Sequence, residues 1–150
     1  MIVSLDPGST TGICTFNGGE YKTYHLKLFE HAKPHFILYG HLSAINPTAI
    51  VYEPFHHRAG QLGVVYTGVE YIGVIEFWSQ DNNVPVEKIT PGTGKGGFWK
   101  GNAKIKALGL WNTKANPHGM DALRIMLALQ MKHGHASHLI EKLRSTLRVV

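Results

Sequence analysis

Apolar residues come first in short runs along this chain and later in helical stripes. Ile2 to Leu5 is a short apolar run, and Gly12 to Phe16 is a second. Both have the length of strands bounded by turn residues. Asn17-Gly18-Gly19 is a hairpin turn signal. Tyr21 to Leu28, alternating Tyr, Thr and His with Lys and Leu, is the predicted return strand. A helical stretch follows from about Phe29 to Ile45, with Phe36, Tyr39 and Leu42 at helical spacing. Pro34 suits the first turn of its main part. "AIVYEPF", residues 49–55, is again a strand, and Gln61 to Gln80 reads as a helix with a mixed surface. Val84 to Ile89 is another short strand, and "TPGTGKGGFWKGN" must be a loop. Ala103 to Trp111 is helical. Met120, Leu123 and Leu127, with Ile125, Met126 and Leu129, mark a strong helix from His118 to Lys132. A last helix, Ser137 to Leu147, follows the His133-Gly134-His135 break.

The order is three strands, helix, strand, helix, strand, helix, helix. A hairpin meander followed by strand–helix alternation predicts an α/β fold, a mixed sheet with helices on both faces. Functional residues of such sheets gather where strands end and chain direction diverges. No repeat, low-complexity tract or long linker divides the chain, so residues 1–150 read as one domain.

Composition narrows the classes. Apolar residues make up 43% and charged residues 17%, a globular balance. No run approaches the roughly 18 apolar residues of a membrane span. No basic segment leads into an apolar stretch at the N-terminus, so no signal peptide is expected. The single cysteine, Cys14, rules out an internal disulfide and fits a reducing, cytoplasmic setting. The formal net charge is +5, which suits a polyanionic partner. Its distribution says more: Lys88 through Met120 holds six lysines and no Asp or Glu.

The carboxylates carry the candidate chemistry. Most stand where surface charges belong, such as Glu20 in a turn, Asp81 at a helix end and Glu141 in the last helix. Asp6 and Glu53 instead each close an apolar strand, and Asp121 sits in the most apolar helix. His118, three residues before Asp121, shares its helix face. This is a hard, mostly oxygen ligand set, suited to Mg²⁺, with Mn²⁺ able to substitute. Two such ions roughly 3.5–4 Å apart promote in-line phosphodiester hydrolysis. Taken singly, Asp6 also reads as a turn acceptor in "DPGS", and His118 as a cap or core residue.

Together these segments resemble a known family. "IVSLDPGSTTGICTF" is similar to the first strand and bend of RuvC-like Holliday junction resolvases, in the ribonuclease H-like superfamily. "AIVYEPF" resembles their second acidic strand, and "KITPGTGKGGFWKGNAKIKALGLW" their strand, glycine/lysine loop and following helix. "NPHGMDALRIMLALQ" resembles their C-terminal catalytic helix, in the form with His three residues before the final Asp. The resemblance implies a ribonuclease H-like mixed five-stranded sheet in βββαβαβαα order. It implies that Asp6 bridges both metals, that Glu53 binds one, and that His118 and Asp121 complete the site. The implied substrate is branched DNA. Symmetric cleavage of a four-way junction further calls for a homodimer. The "PFHHRAG" after Tyr52-Glu53, the inserted "GGFWKG" and the short chain depart from the usual pattern, and fit a phage or other compact member.

The loop supplies the predicted DNA contacts. Gly92, Gly94 and Gly97 satisfy G-x-G-x-x-G, but the segment does not open a βαβ unit and no acid follows until Asp121, so a dinucleotide site is rejected. Glycines instead let backbone amides approach phosphates, and Lys95, Lys100, Lys104 and Lys106 add charge. Phe98 or Trp99 can stack on an unpaired base, and Phe55 is a second candidate wedge. Arg58, in His56-His57-Arg58, reads as a phosphate contact or as part of a polar loop. The strand-end Asp with Gly-Ser-Thr-Thr-Gly also resembles actin-like ATPases and sugar kinases, which need two such domains and more than this length. A nuclease for flaps, forks or hybrids, and an inactive nucleic-acid binder on the same fold, remain alternatives.

Overall fold

The computed structural model describes residues 1–54, 67–94 and 96–147. Five strands form one sheet: β1 (Ile2–Asp6), β2 (Thr10–Asn17), β3 (Glu20–Lys27), β4 (Ala49–Tyr52) and β5 (Val86–Lys88). Their order is β3-β2-β1-β4-β5. The β1–β2 and β2–β3 pairs are antiparallel, and β1–β4 and β4–β5 are parallel. The helices are α1 (Pro34–Ile45), α2 (Thr67–Asp81), α3 (Ala103–Ala107), α4 (Pro117–Lys132) and α5 (Ser137–Leu147).

Side-chain alternation divides the core into two layers. Val3, Leu5, Ile13, Ile50 and Tyr52 pack against Leu38 and Leu42 of α1 and Tyr71, Ile75 and Trp78 of α2. Cys14 and Val51 point the other way, against Met120, Leu123, Met126 and Leu127 of α4. The central strands are thus covered on both faces, which is why β1 and β4 read as nearly unbroken apolar runs. Trp78, fully buried, ties the first layer together by donating from Nε1 to Ser43 Oγ of α1 at 2.8 Å.

The predicted mixed sheet with helices on both faces is the observed one. The β2–β3 hairpin closes through Gly18 and Gly19 at φ +57° and +99°. Pro34 begins α1, with a 3-10 turn at Leu28–Glu30 before it. The buried stripe of α1 runs through Leu38 and Leu42, while Phe36 stands out to solvent. The helix predicted over 103–111 stops at Ala107, because Gly109 turns the chain at φ +73°. Three helices follow β5, at the three helical stretches expected there, although the order βββαβαβαα counts only two. No helix among the described residues is long and apolar enough to cross a membrane.

Candidate functional site

Parallel pairing of β1 with β4 sets Leu5 opposite Tyr52, so the next residues, Asp6 and Glu53, lie side by side at the carboxyl edge of the sheet. Leu5 and Tyr52 point toward α1 and α2. Asp6 and Glu53, one residue on, face α4. The bend after Asp6 is closed by Thr11, whose hydroxyl donates to Gly8 O at 2.7 Å.

Helix α4 is laid close against this edge. Ser4 Oγ of β1 donates to Ala122 O at 2.7 Å. Gly12 of β2 is required here, since a Cβ on it would stand 1.9 Å from the His118 carbonyl oxygen. Asn116 caps the helix, its side-chain oxygen accepting from Gly119 N at 3.1 Å, and Pro117 occupies the first turn. The first turn of α4 therefore delivers His118 to Asp6, with Nδ1 3.0 Å from Asp6 Oδ2. Asp6 is only 7% exposed, and a carboxylate so buried needs charged or hydrogen-bonding partners. With Nδ1 donating, a neutral His118 ring carries its lone pair on Nε2.

Asp121 lies one turn further along the same helix. Its Oδ1 accepts from Arg124 Nη1 at 2.6 Å, and Arg124 Nη2 donates to Asn102 Oδ1 at 2.6 Å. Glu53 sits against the glycine loop: a Cβ on Gly94 would be 2.9 Å from Glu53 Oε2 and 3.6 Å from Ile125 Cγ1 of α4. The structure thus brings Asp6 and His118 into contact, sets Glu53 beside Asp6, and turns Asp121 toward Arg124. Among the described residues, no three His, Cys, Asp or Glu side chains converge as the ligands of one ion.

The loop contacts sort differently from expectation. Phe98 is 42% exposed and carries Lys104 Nζ at 3.7 Å from its ring centroid, the same amine donating to Phe98 O at 2.6 Å. Lys100 and Lys106 are exposed, Lys106 lying over the Trp111 ring at 5.2 Å. Trp99 is corrected: it is fully buried, edge-on to Phe98 with centroids 4.9 Å apart. It packs in the α4 layer and presents no face to a base. Phe55, Arg58 and Lys95 lie outside the described residues.

The sequence pattern singled out Gly94 only as a loop glycine, not as a neighbour of Glu53, and did not single out Arg124 or Asn102. The signal for Arg124 was present, a lone arginine in an apolar helix three residues after Asp121. The roles of Asn102 and Gly94 depend on contacts between segments far apart in sequence.

No protein-family model matches the sequence, and no curated protein matches it. Solved structures do match in shape. A Thermus thermophilus RuvC structure aligns at 23% identity and TM-score 0.57 over 89% of this chain and 96% of that one. The fold is that of RuvC. T. thermophilus RuvC in complex with a Holliday junction substrate aligns at 21% identity and TM-score 0.59, again over 89% and 96%. The yeast mitochondrial Holliday junction resolvase Ydc2 aligns at 13% identity and TM-score 0.58, over 99% of this chain and 84% of its own. The expected RuvC-like, ribonuclease H-like architecture is thereby met over most of the chain, with the RuvC alignments nearly spanning both partners.

Proposed function

We propose that this chain is a structure-specific endodeoxyribonuclease that cleaves Holliday junctions with the help of bound Mg²⁺ or Mn²⁺. The observation that carries the reading is one juxtaposition. Asp6, at the end of one of two parallel strands, meets His118 in the first turn of α4, Glu53 follows the neighbouring strand, and the lysine-bearing loop adjoins Glu53 at Gly94 and Asp121 by way of Asn102 and Arg124. The similarity to a RuvC bound to a Holliday junction supports the choice of substrate.

The chemistry of the donors, rather than a converged cluster, suits a hard divalent cation: carboxylate oxygens of Asp6, Glu53 and Asp121 and one imidazole of His118 would hold it. Bound there, such ions would activate water and neutralise charge on the phosphodiester oxygens. Asp6 and Glu53 stand at one end of the sheet, because the register of β1 and β4 brings the backbones of the two residues together. His118, oriented through Nδ1 by Asp6, presents Nε2. Asp121, which accepts from Arg124 Nη1, would be a further oxygen donor to the cation. Lys100 and Lys106 bind phosphates, Phe98 offers a ring to an unpaired base, and Lys104 fixes that ring in place.

Symmetric resolution of a four-way junction takes two active sites, so the working form is a homodimer in this reading. The sheet face opposite α4 bears an apolar groove of about 750 Å³ between α1 and α2, lined by Tyr39, Val74 and other residues of these helices. Phe36 and Phe77, 76% and 62% exposed, are among its walls. An exposed apolar patch of this kind suits burial against the same patch of a second copy about a twofold axis. His35 Nε2 and Glu70 Oε2, 3.5 Å apart at its rim, offer polar atoms to a second copy. Sedimentation of the wild type as a dimer and of Phe77→Glu as a monomer is expected; a monomeric wild type on junction DNA refutes this arrangement.

The test of function is cleavage of four-way, three-way, flap, linear duplex and hybrid substrates with Mg²⁺, Mn²⁺ or chelator. Four-way junctions are expected to be cut only with metal, and Asp6→Asn to bind but not cut. Full cleavage by Asp6→Asn sinks the metal-site reading, and preference for flaps or forks replaces the substrate. Binding of junctions without any cleavage makes the chain a binder on this fold, in which Arg124 and His118 serve the carboxylates in place of metal.

A further inference from the structure

We infer that Gly94 is a positioning residue for Glu53, the missing side chain at 94 setting where that carboxylate stands. The inference deepens the proposed nuclease reading and rests on Glu53 being a metal ligand in it.

Gly94 is buried and pinned. Its N–H donates to Thr90 O at 2.9 Å, Thr93 N donates to the same oxygen at 2.9 Å, and Gly96 N donates to Pro91 O at 2.8 Å. The Thr90 and Thr93 hydroxyls bond each other at 3.0 Å. These bonds hold the shape of the turn, and Ile89 N, donating to Tyr52 O at 3.0 Å, ties its start to β4. A Cβ on Gly94 would lie 2.9 Å from Glu53 Oε2, with Ile89 Cγ2 at 3.4 Å and Ile125 Cγ1 at 3.6 Å on its other sides. The two isoleucines are at ordinary contact, so the methyl group has no free direction. What yields is the far end of the glutamate.

Backbone strain does not enter, because Gly94 is not among the glycines at positive φ. Gly12 is the useful contrast. A Cβ there meets the His118 carbonyl oxygen, a backbone atom that cannot step aside. Gly12 thus serves the packing of α4, whereas Gly94 serves the location of one carboxylate. Alanine at 94 would displace Glu53 Oε2 by about 0.5 Å to reach ordinary contact. Misplacement on the order of 1 Å costs roughly 100-fold in an active site, and loss of a group that orients a ligand costs roughly 10–100-fold in metal affinity or activity.

The experiment compares wild type, Gly94→Ala, Glu53→Asp and the double variant. Gly94→Ala is expected to unfold within about 4 °C of wild type and to move the Glu53 side-chain carboxyl ¹³C resonance. The Mn²⁺ concentration for half-maximal cleavage of a four-way junction is expected to rise roughly 10-fold. In the Glu53→Asp background, where the carboxylate is one methylene shorter, Gly94→Ala should add less than roughly 2-fold, since the clash is gone. An unmoved Glu53 resonance overturns the inference. So does an equal penalty in both backgrounds, or a fall in Tm beyond about 10 °C, which would make Gly94 a residue of the fold. If the wild type cuts no substrate, the nuclease reading fails, and the Glu53 resonance still decides the role of Gly94.

Discussion

Replacing Arg124 by glutamine tests whether Asp121 is held in reserve for a cation. The Arg124 Nη1–Asp121 Oδ1 contact is 2.6 Å, and the side chains are only 11% and 27% exposed. Two unit charges about 4 Å apart attract by roughly 4 kcal/mol at an effective dielectric constant near 20. Desolvation of the guanidinium offsets part of this. Glutamine loses the charge and is too short to span both partners, so the net loss is about 2 kcal/mol. For a chain of this size that lowers Tm by about 4–8 °C in chelator. A ligand that binds only the folded state stabilises it by about 2.7 kcal/mol at 100 times its Kd. Where Arg124 competes with a cation for Asp121, its removal tightens binding. Thermal unfolding with and without Mg²⁺ is therefore expected to show a larger metal-induced rise in Arg124→Gln than in wild type. In Asp121→Asn/Arg124→Gln that extra rise should vanish. Equal metal-induced shifts in wild type and Arg124→Gln, or no loss of Tm in chelator, refute the reasoning.

Exposed lysines flanking the loop should govern salt dependence. Lys100→Ala combined with Lys106→Ala is expected to reduce the slope of log K against log salt by about 1.8 if each neutralises one phosphate; an unchanged slope in a filter-binding series removes both from the contact surface. At the far end of α4, burial opposes ionisation of Glu87, but hydrogen bonds from Lys132 and His133 outweigh it and hold its carboxyl below the usual range. A depressed folded pKa adds stability above the unfolded value of 4.5 that is lost as pH falls through the folded one. Glu87→Gln is expected to cost about 0.5–1 kcal/mol at pH 7, and the two melting curves should converge as pH falls through the depressed folded value; a difference that persists once both states are protonated overturns the assignment.

What the sequence disclosed followed from local rules. Apolar runs that end on a charge locate Asp6 and Glu53, because a strand buried on both faces admits a carboxylate only at its edge. Gly18-Gly19 fixes the hairpin and Pro34 the start of α1 for reasons contained in those residues alone. Trp99 was not legible in this way. An indole in a glycine–lysine loop can stack on a base or fill the α4 layer, and only tertiary packing chooses the second. Arg124 shows the same limit, since its partner Asp121 is visible at helical spacing while Asn102 is not. The spacing of Phe36, Tyr39 and Leu42 identifies α1 as a helix, yet the buried stripe passes through Leu38 and Leu42.

The loop between β5 and α3 gains meaning from its anchors. One end is pressed against Glu53 at Gly94, and the other is bonded through Asn102 and Arg124 to Asp121. Any force that DNA exerts on Phe98 or Lys100 is therefore applied to a segment tied at both ends to carboxylates of the site. Such a connection can carry coupling only if the site has two arrangements of differing affinity for DNA. Arg124 supplies the physical basis for two: bound to Asp121, it offsets the charge without metal, and released, it gives up its place at that carboxylate to a cation. A junction that draws the loop, and Asn102 with it, away from α4 would weaken the hold on Arg124 and favour the second arrangement. Linkage then requires the converse, that divalent metal tighten junction binding in wild type and do so less in Asn102→Ala. Equal metal enhancement in the two proteins, measured with Ca²⁺ to suppress cleavage, would break the connection between the loop and Asp121.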